Sequence, residues 1–194
     1  LWPSIGLAEE ITEKEPNNKL IASQFIKNTP VVVNGRLGKN GDVDAFTIRV
    51  NRGEWIVAQC FSYSLDSPVD SFMHLHNEEG VKLAFAPNTQ NIDPLLAYQA
   101  KETGDYSLTL AGLIFPFNAT ARFHGSEHTV YRLTISTGFF ARNTYPLGVQ
   151  RGSKTPVHMV GWGFGAKSMV RAALVNINDQ EFREGLIKDL PLIQ

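Results

Sequence analysis

Residues 104–112 read Gly-Asp-Tyr-Ser-Leu-Thr-Leu-Ala-Gly and alternate between apolar and polar side chains. In an extended chain these side chains point to opposite faces, which places Tyr106, Leu108 and Leu110 on one side and Ser107 and Thr109 on the other. A strand with one buried face and one face in water shows this period of two. The segment therefore predicts a β-strand at the surface of a core.

Seven further segments rich in Val, Ile, Phe, Tyr and Thr are separated by clusters of Gly, Asn, Asp and Pro. The predicted strands are residues 30–37, 45–50, 54–63, 69–77, 81–86, 94–100, 105–112 and 129–136. Turn residues at 38–42, 51–53 and 78–80 predict that successive strands are antiparallel neighbours. Eight such strands predict an all-β fold, an antiparallel β-sandwich of the jelly-roll type. Helical character is limited to one or two short turns within 17–27.

Composition excludes several classes of protein. The chain has 194 residues, of which 43% are hydrophobic and 19% are charged, as in folded globular proteins. A net charge of -1 without a Lys/Arg cluster excludes a nucleic-acid partner. No apolar run is long enough to span a bilayer. The single cysteine, Cys60, lies in an apolar run and is expected to be a small buried side chain and not a nucleophile.

The strand pattern lapses after residue 137 and resumes at Tyr145. We therefore expect a β-sandwich over 9–137, a linker over 138–144, and a short, partial second β module over 145–194. Fifty residues are few for an independent core, so this module either belongs to a second domain or packs on the first.

Acidic and amide side chains recur in two early segments, and together they could bind a calcium ion. The first segment supplies Glu13, Glu15, Asn17 and Asn18, and the second supplies Asp42 and Asp44. Calcium takes six to eight oxygen ligands from carboxylates, amides and carbonyls, and clustered carboxylates repel one another unless a cation lies between them. The alternative is that the glutamates are solvated charges and the aspartates are turn formers.

The order of several motifs resembles the bacterial pre-peptidase C-terminal domain family over about residues 9–137. The motifs are Glu13-Lys14-Glu15-Pro16-Asn17-Asn18, Val33-Asn34-Gly35-Arg36-Leu37, Gly41-Asp42-Val43-Asp44-Ala45-Phe46 and Gly104-Asp105-Tyr106-Ser107-Leu108. The resemblance implies a jelly-roll accessory domain of a secreted, cell-surface or periplasmic bacterial protein. It also implies Ca²⁺ at the six acidic and amide residues named above. Calcium-binding relatives often carry aspartate where this chain has Asn18 and Gly41, which is a departure from their pattern.

The segment from Tyr145 to Gly165 is similar to the opening of immunoglobulin-like TIG domains. The resemblance implies that residues 145–194 are a partial Ig-like module. Partners would then be other domains of the same chain.

Enzyme motifs are missing from the sequence: there is no Gly-x-Ser-x-Gly elbow, no His-Glu-x-x-His helix and no phosphate-binding glycine loop. His74 and His76 would share one strand face and could form a metal pair if His124 or His128 joined them; cross-strand packing is the alternative. We therefore predict a non-catalytic module, with part of a secreted hydrolase or peptidase as the other interpretation.

Aromatic residues suggest a binding surface as a further alternative. Trp2, Trp55, Tyr63, Tyr98 and Trp162 are candidates for a platform that would bind a polysaccharide or an extracellular matrix protein. Tyr63, between two serines, is the best single candidate for a ligand-binding residue. The sequence thus predicts an accessory module that binds, spaces or stabilises.

Overall fold

The computed structural model describes residues 8–90, 92–116, 122–148, 154–163 and 170–176. All eight predicted strands form, with ends shifted by at most two residues. The strands, in chain order, are β1 (Glu9–Thr12), β2 (Gln24–Ile26), β3 (Val31–Arg36), β4 (Asp44–Val50), β5 (Trp55–Phe61), β6 (Val69–His76), β7 (Lys82–Ala86), β8 (Asn88–Gln90), β9 (Asp93–Gln99), β10 (Gly104–Ile114), β11 (Val130–Thr137), β12 (Phe140–Tyr145), β13 (Lys154–Trp162) and β14 (Val170–Asn176).

Two sheets stack to form a jelly roll. The six-stranded sheet has the order β1-β3-β11-β5-β9-β8, and the five-stranded sheet has the order β2-β4-β10-β6-β7. If the eight predicted strands are counted in chain order, the two sheets read 1-8-3-6 and 2-7-4-5, the arrangement that two interlocked Greek keys produce. All pairs among these eight strands are antiparallel. The predicted fold class is therefore confirmed.

The prediction that successive strands pair as hairpins is wrong for most of the chain. Among the eight predicted strands, β6 and β7 are the only successive ones that pair directly, through the turn at 77–81, where the backbone N–H of Asn77 donates to the carbonyl of Val81 at 3.0 Å. The turn at 38–42 instead carries the chain from β3 in one sheet to β4 in the other. Turn residues indicate where a chain changes direction, but they do not determine whether the next strand stays in the same sheet.

The core lies between the two sheets and follows the period of two. On β4, Phe46, Ile48 and Val50 face inward and are at most 2% exposed. Cys60 on β5 is also buried, which raises the pKa of its thiol and confirms that it is a small core side chain. Each large aliphatic side chain buried in this way contributes about 1.5–3 kcal/mol to folding.

Three short strands that the sequence did not predict complete the sheet edges. β1 pairs in parallel with β3, β2 pairs in parallel with β4, and β8 pairs antiparallel with β9. Within the part of the chain that the structure describes, helical structure is confined to two 3-10 turns, Leu20–Ala22 and Tyr63–Leu65. No helix in that part is both long and apolar enough to cross a membrane.

The segment predicted as a linker, 138–144, contains most of strand β12. β12 pairs with β13, and β13 with β14, in a separate three-stranded antiparallel sheet. Phe140, 5% exposed, packs with Val57 and Leu95 of the six-stranded sheet, and Trp162 packs against this group. One buried aromatic side chain therefore holds in place a strand whose other residues are mostly polar. The likeness to TIG domains and the division at 145 stay predictions.

Candidate functional site

The amino-terminal arm reaches the loop between β3 and β4, as the acidic motif predicted. After β1, the backbone N–H of Glu13 still donates to the carbonyl of Asn34, at 3.1 Å. The chain then leaves the six-stranded sheet, and the backbone carbonyl of Asn17 accepts from the N–H of Ala45 on the five-stranded sheet at 3.0 Å. The arm is thus hydrogen-bonded to both sheets.

Three carboxylates meet where the arm contacts this loop. Glu15, Asp42 and Asp44 each offer one oxygen, and these oxygens all lie within 4.8 Å of one another. Asp42 and Asp44 are buried, at 1% and 0% exposure, while Glu15 is exposed. Two oxygens on opposite sides of a calcium ion are about 5 Å apart, because each Ca–O distance is roughly 2.3–2.6 Å. The spacing therefore fits one such cation.

Asp42 joins the loop to the arm. Its Oδ2 accepts the backbone N–H of Gly38 at 2.6 Å, and its Oδ1 accepts the side-chain amide of Asn18. Asn18 therefore contacts the site as a donor to Asp42. The side chain of Asn17 is fully buried, and its backbone N–H donates to Oε2 of Glu15 at 3.0 Å.

Asp44 begins β4 on the inward side, two residues before Phe46. Loss of water around this carboxyl, together with its hydrogen bond to Glu13 and the negative charges of Glu13 and Asp42, raises its pKa to about 9. Its Oδ2 lies 2.5 Å from the hydroxyl of Tyr131. At neutral pH the cation-free site therefore holds a proton on Asp44.

Glu13 is not one of the three carboxylates, but it hydrogen-bonds to Asp44 beside them. Its Oε1 accepts the backbone N–H of Arg36 at 2.7 Å, and its Oε2 accepts the hydroxyl of Tyr131 at 2.7 Å. Both oxygens of Glu13 are thus engaged with protein donors. The structure brings three of the six predicted ligands together as carboxylates and places Asn17, Asn18 and Glu13 around them.

Tyr131 is the part of the site that sequence reasoning missed. It pairs with Gly35 across β11 and β3, and a Cβ added at Gly35 would lie 2.2 Å from the Tyr131 ring. The ring therefore crosses β3 at the glycine and carries its hydroxyl to Asp44 and Glu13. A glycine inside a predicted strand was the available signal, because such a residue often marks a close approach by another group.

Tyr63, the predicted ligand-binding residue, lines a separate surface groove with a volume of about 710 Å³. It is 39% exposed, and its ring meets the ring of Phe115 edge-on at 5.1 Å. Ser64 and Asp66 add polar groups to the same groove. A role for Tyr63 in binding stays a prediction.

Asp93 holds the 3-10 turn that carries Tyr63. Its Oδ1 accepts the backbone N–H groups of Ser62 and Tyr63, both at 2.9 Å, and its Oδ2 accepts the backbone N–H and hydroxyl of Ser64. Asp93 is 3% exposed, so these donors stabilise a buried carboxylate. The turn is therefore fixed from inside the protein.

Those of the other proposed aromatic platform residues that the structure describes do not form a row. Trp2 lies outside the described residues. Trp55 and Trp162 pack against the group around Phe140, between the six-stranded and three-stranded sheets. Tyr98 lies 6.3 Å from Tyr106, ring to ring.

His74 and His76 share the outward side of β6, with ring centroids 6.1 Å apart. Among the described residues, the three-carboxylate group is the only cluster of three or more potential metal ligands of the His, Cys, Asp and Glu types. The proposed third ligands, His124 and His128, therefore do not complete a metal site with this pair. The cross-strand packing alternative fits, because His74 stacks on Phe85.

No family model and no curated protein matches this chain. Among solved structures, it is similar to the pre-peptidase C-terminal domain of a collagenase from Bacillus anthracis, with 15% identity, a TM-score of 0.41, and coverage of 59% of this chain and 93% of that chain. It is also similar to PliG of Aeromonas hydrophila, a periplasmic inhibitor of g-type lysozyme, with 8% identity, a TM-score of 0.39, and coverage of 68% of this chain and 99% of that chain. PliG of Salmonella Typhimurium gives 10% identity and a TM-score of 0.34 over 67% of this chain and 99% of that chain. These low values carry no argument about function.

Proposed function

We propose that the chain is a non-catalytic accessory module of an exported bacterial protein, and that a Ca²⁺ ion at Glu15, Asp42 and Asp44 fixes its amino-terminal arm. The observation that carries the calcium proposal is the convergence of three carboxylate oxygens within 4.8 Å, two of them on buried side chains. The exported location and the accessory role rest on the resemblance of the sequence motifs to the pre-peptidase C-terminal family.

Electrostatics supports a cation at this place. Two full negative charges 4.8 Å apart repel each other by about 3 kcal/mol at an effective dielectric constant near 20. Either protons or a cation must therefore balance the three carboxylates. A divalent cation would neutralise two charges at once and would link the arm to the loop before β4.

The chemistry of the surrounding donors favours calcium over other cations. The three side chains offer oxygen and no nitrogen or sulfur, which suits hard cations. Calcium tolerates irregular geometry and completes its shell with amide oxygens, backbone carbonyls and water, whereas Mg²⁺ requires a near-ideal octahedron. One exposed ligand, Glu15, leaves an open side for water.

The proposed role is mechanical. The arm runs beside β3 in one sheet and hydrogen-bonds to β4 in the other, so fixing it fixes the direction in which the chain enters the sandwich. A module whose arm is held more firmly when calcium is bound would space or orient neighbouring domains in calcium-containing surroundings.

Thermal unfolding tests the proposal. We expect the melting temperature to rise when Ca²⁺ replaces chelator, because a ligand that binds only the native state stabilises it by about 2.7 kcal/mol at one hundred times its Kd. Glu15→Gln should reduce the rise without loss of fold, since Glu15 is exposed. Glu79→Gln, in the exposed turn between β6 and β7, is the matched control and should keep the full rise. Equal melting temperatures in calcium and chelator would contradict the proposal.

A further inference from the structure

Aromatic rings cluster on the outer face of the five-stranded sheet. We define the ring cluster as Phe72 and His74 on β6, Phe85 on β7, and Phe123 in the segment that precedes β11. Phe85 is 56% exposed and Phe123 is 39% exposed. Side chains alternate between the two faces of β6, so Phe72 and His74 point outward while Met73 and Leu75 are fully buried on the opposite side.

The rings support one another in fixed positions. His74 stacks on Phe85 with centroids 4.7 Å apart and an angle of 24° between the planes. Phe72 meets the rings of His74, Phe85 and Phe123 edge-on, with centroids 5.6, 6.1 and 5.5 Å apart. Aromatic pairs in edge-to-face and offset-stacked geometries stabilise one another beyond the burial of area. The cluster is therefore a preorganised surface, which lowers the entropic cost of binding.

Hydroxyl and imidazole groups that can form hydrogen bonds lie beside the rings. Thr109 lies opposite His74 and Ser107 lies opposite His76 on the neighbouring strand β10. Burial lowers the pKa of both imidazoles, and the ammonium group of Lys82 lowers it further, which favours the neutral form of both rings. Three ionisable side chains lie beside this set: Lys82 opposite His76 on β7, Asp70 on the same side of β6 as Phe72, and Arg122 next to Phe123 in the chain.

We propose that the ring cluster is a binding site for a neutral polysaccharide, in which the faces of Phe85 and Phe123 stack on the C–H faces of pyranose rings. A pyranose with equatorial hydroxyls has an apolar face and a polar edge. The ring cluster would contact the apolar face, and the hydroxyl of Thr109 beside it would hydrogen-bond to the polar edge. The hydroxyl groups of Thr109 and Ser107 and the two imidazoles can donate and accept hydrogen bonds, which suits a ligand that carries many hydroxyl groups and no charge.

The shape of the surface favours a polymer. The rings lie on an open sheet face and not in an enclosed cavity, and small ligands are usually held in concave sites. Along β6, outward side chains repeat about every 6.8 Å, which lets an extended chain contact successive side chains. The site shares no residue with the three carboxylates, so this proposal does not depend on the calcium site.

Binding measurements with matched variants test the inference. Retention of the whole chain on insoluble cellulose, chitin and xylan would be measured, followed by calorimetric titration with the soluble hexasaccharide of any that retains it. We expect at least one to bind, and the double variant Phe85→Ala/Phe123→Ala to weaken binding by at least about tenfold. Phe25→Ala is the control, because Phe25 is also 56% exposed but lies on β2 at the opposite edge of the same sheet. It should bind as the parent chain does.

Four results would overturn the inference. The first is the absence of retention on all three polysaccharides, and the second is unchanged binding by the double variant when its melting curve shows that it folds. The third is loss of binding in Tyr63→Ala alone, which would move the site to the groove beside Phe115. The fourth is a dimer in size-exclusion chromatography that Phe85→Ala dissociates, which would make a second copy of the chain the partner.

Discussion

The substitution Asp44→Asn tests whether the carboxyl of Asp44 lowers the stability of the cation-free protein, because it must bind a proton to be buried, or raises it. Asp44 is fully buried, and its pKa is raised to about 9 from an ordinary value of 3.8. Between these two values the native state binds a proton that the unfolded state releases, so stability falls as the pH rises through this range. Asparagine has the same shape and needs no proton.

The magnitude follows from the same shift. Protonating a carboxyl of ordinary pKa at pH 7 costs about 1.4 kcal/mol for each of about three pH units, or about 4 kcal/mol in total. Without calcium, Asp44→Asn should therefore stabilise the protein at pH 7 by up to about 4 kcal/mol, and by almost nothing at pH 4. For a protein of this size, each kcal/mol raises the melting temperature by roughly 2–4 °C.

The assay is thermal unfolding of the parent chain and Asp44→Asn at pH 4 and pH 7, in chelator and in calcium. In calcium, the difference in melting temperature between Asp44→Asn and the parent chain should become smaller or change sign. The reason is that only the parent chain keeps all three carboxylate ligands. Asp105→Asn is the control: Asp105 forms an exposed pair with Arg49 at 3.0 Å, and exposed pairs contribute at most about 1 kcal/mol. If Asp44→Asn were less stable than the parent in chelator at pH 7, the reasoning would be refuted.

Three further substitutions probe the proposed calcium site and the turn that carries Tyr63. For each, urea denaturation gives the free energy of unfolding of the variant and of the parent chain. Tyr131→Phe removes the hydroxyl that lies between two carboxyls and should cost about 1–3 kcal/mol; no loss would show that the hydroxyl is dispensable. Gly35→Ala places a Cβ against the Tyr131 ring and should cost about 1–3 kcal/mol, whereas Gly148→Ala, with open space around it, should change little. Asp93→Ala leaves several buried donors unpaired and should cost about 3 kcal/mol or more; a cost under about 0.5 kcal/mol would mean that water replaces the carboxylate.

Alternation of side chains was enough to predict the main strands but not their partners. The pattern of Tyr106, Leu108 and Leu110 identifies β10, and the same reasoning located the other seven strands of the jelly roll. The sheet to which each strand belongs depends on contacts distant in sequence, which a turn motif does not encode. β1 and β2 have three or four residues each and no alternation, and they become strands because β3 and β4 offer free edges to pair with.

The candidate site was predictable where its residues were close in sequence. The two acidic segments lie within one short stretch of chain, so the approach of Glu15 to Asp42 and Asp44 could be inferred from the motifs. Tyr131 lies 87 residues beyond Asp44 and joins the site only through the pairing of β11 with β3. The ring cluster was missed for a related reason: β6 carries apolar residues on both faces, so its sequence does not show that Phe72 points outward.

A crystal structure grown in calcium would test the central claim most directly, through the anomalous difference density around the three carboxylates. We expect a peak between Glu15, Asp42 and Asp44, at about 2.3–2.6 Å from an oxygen of each. Empty density there at saturating calcium, with Asp44 still hydrogen-bonded to Tyr131 and Glu13, would show that a proton and not a metal ion balances the buried charge.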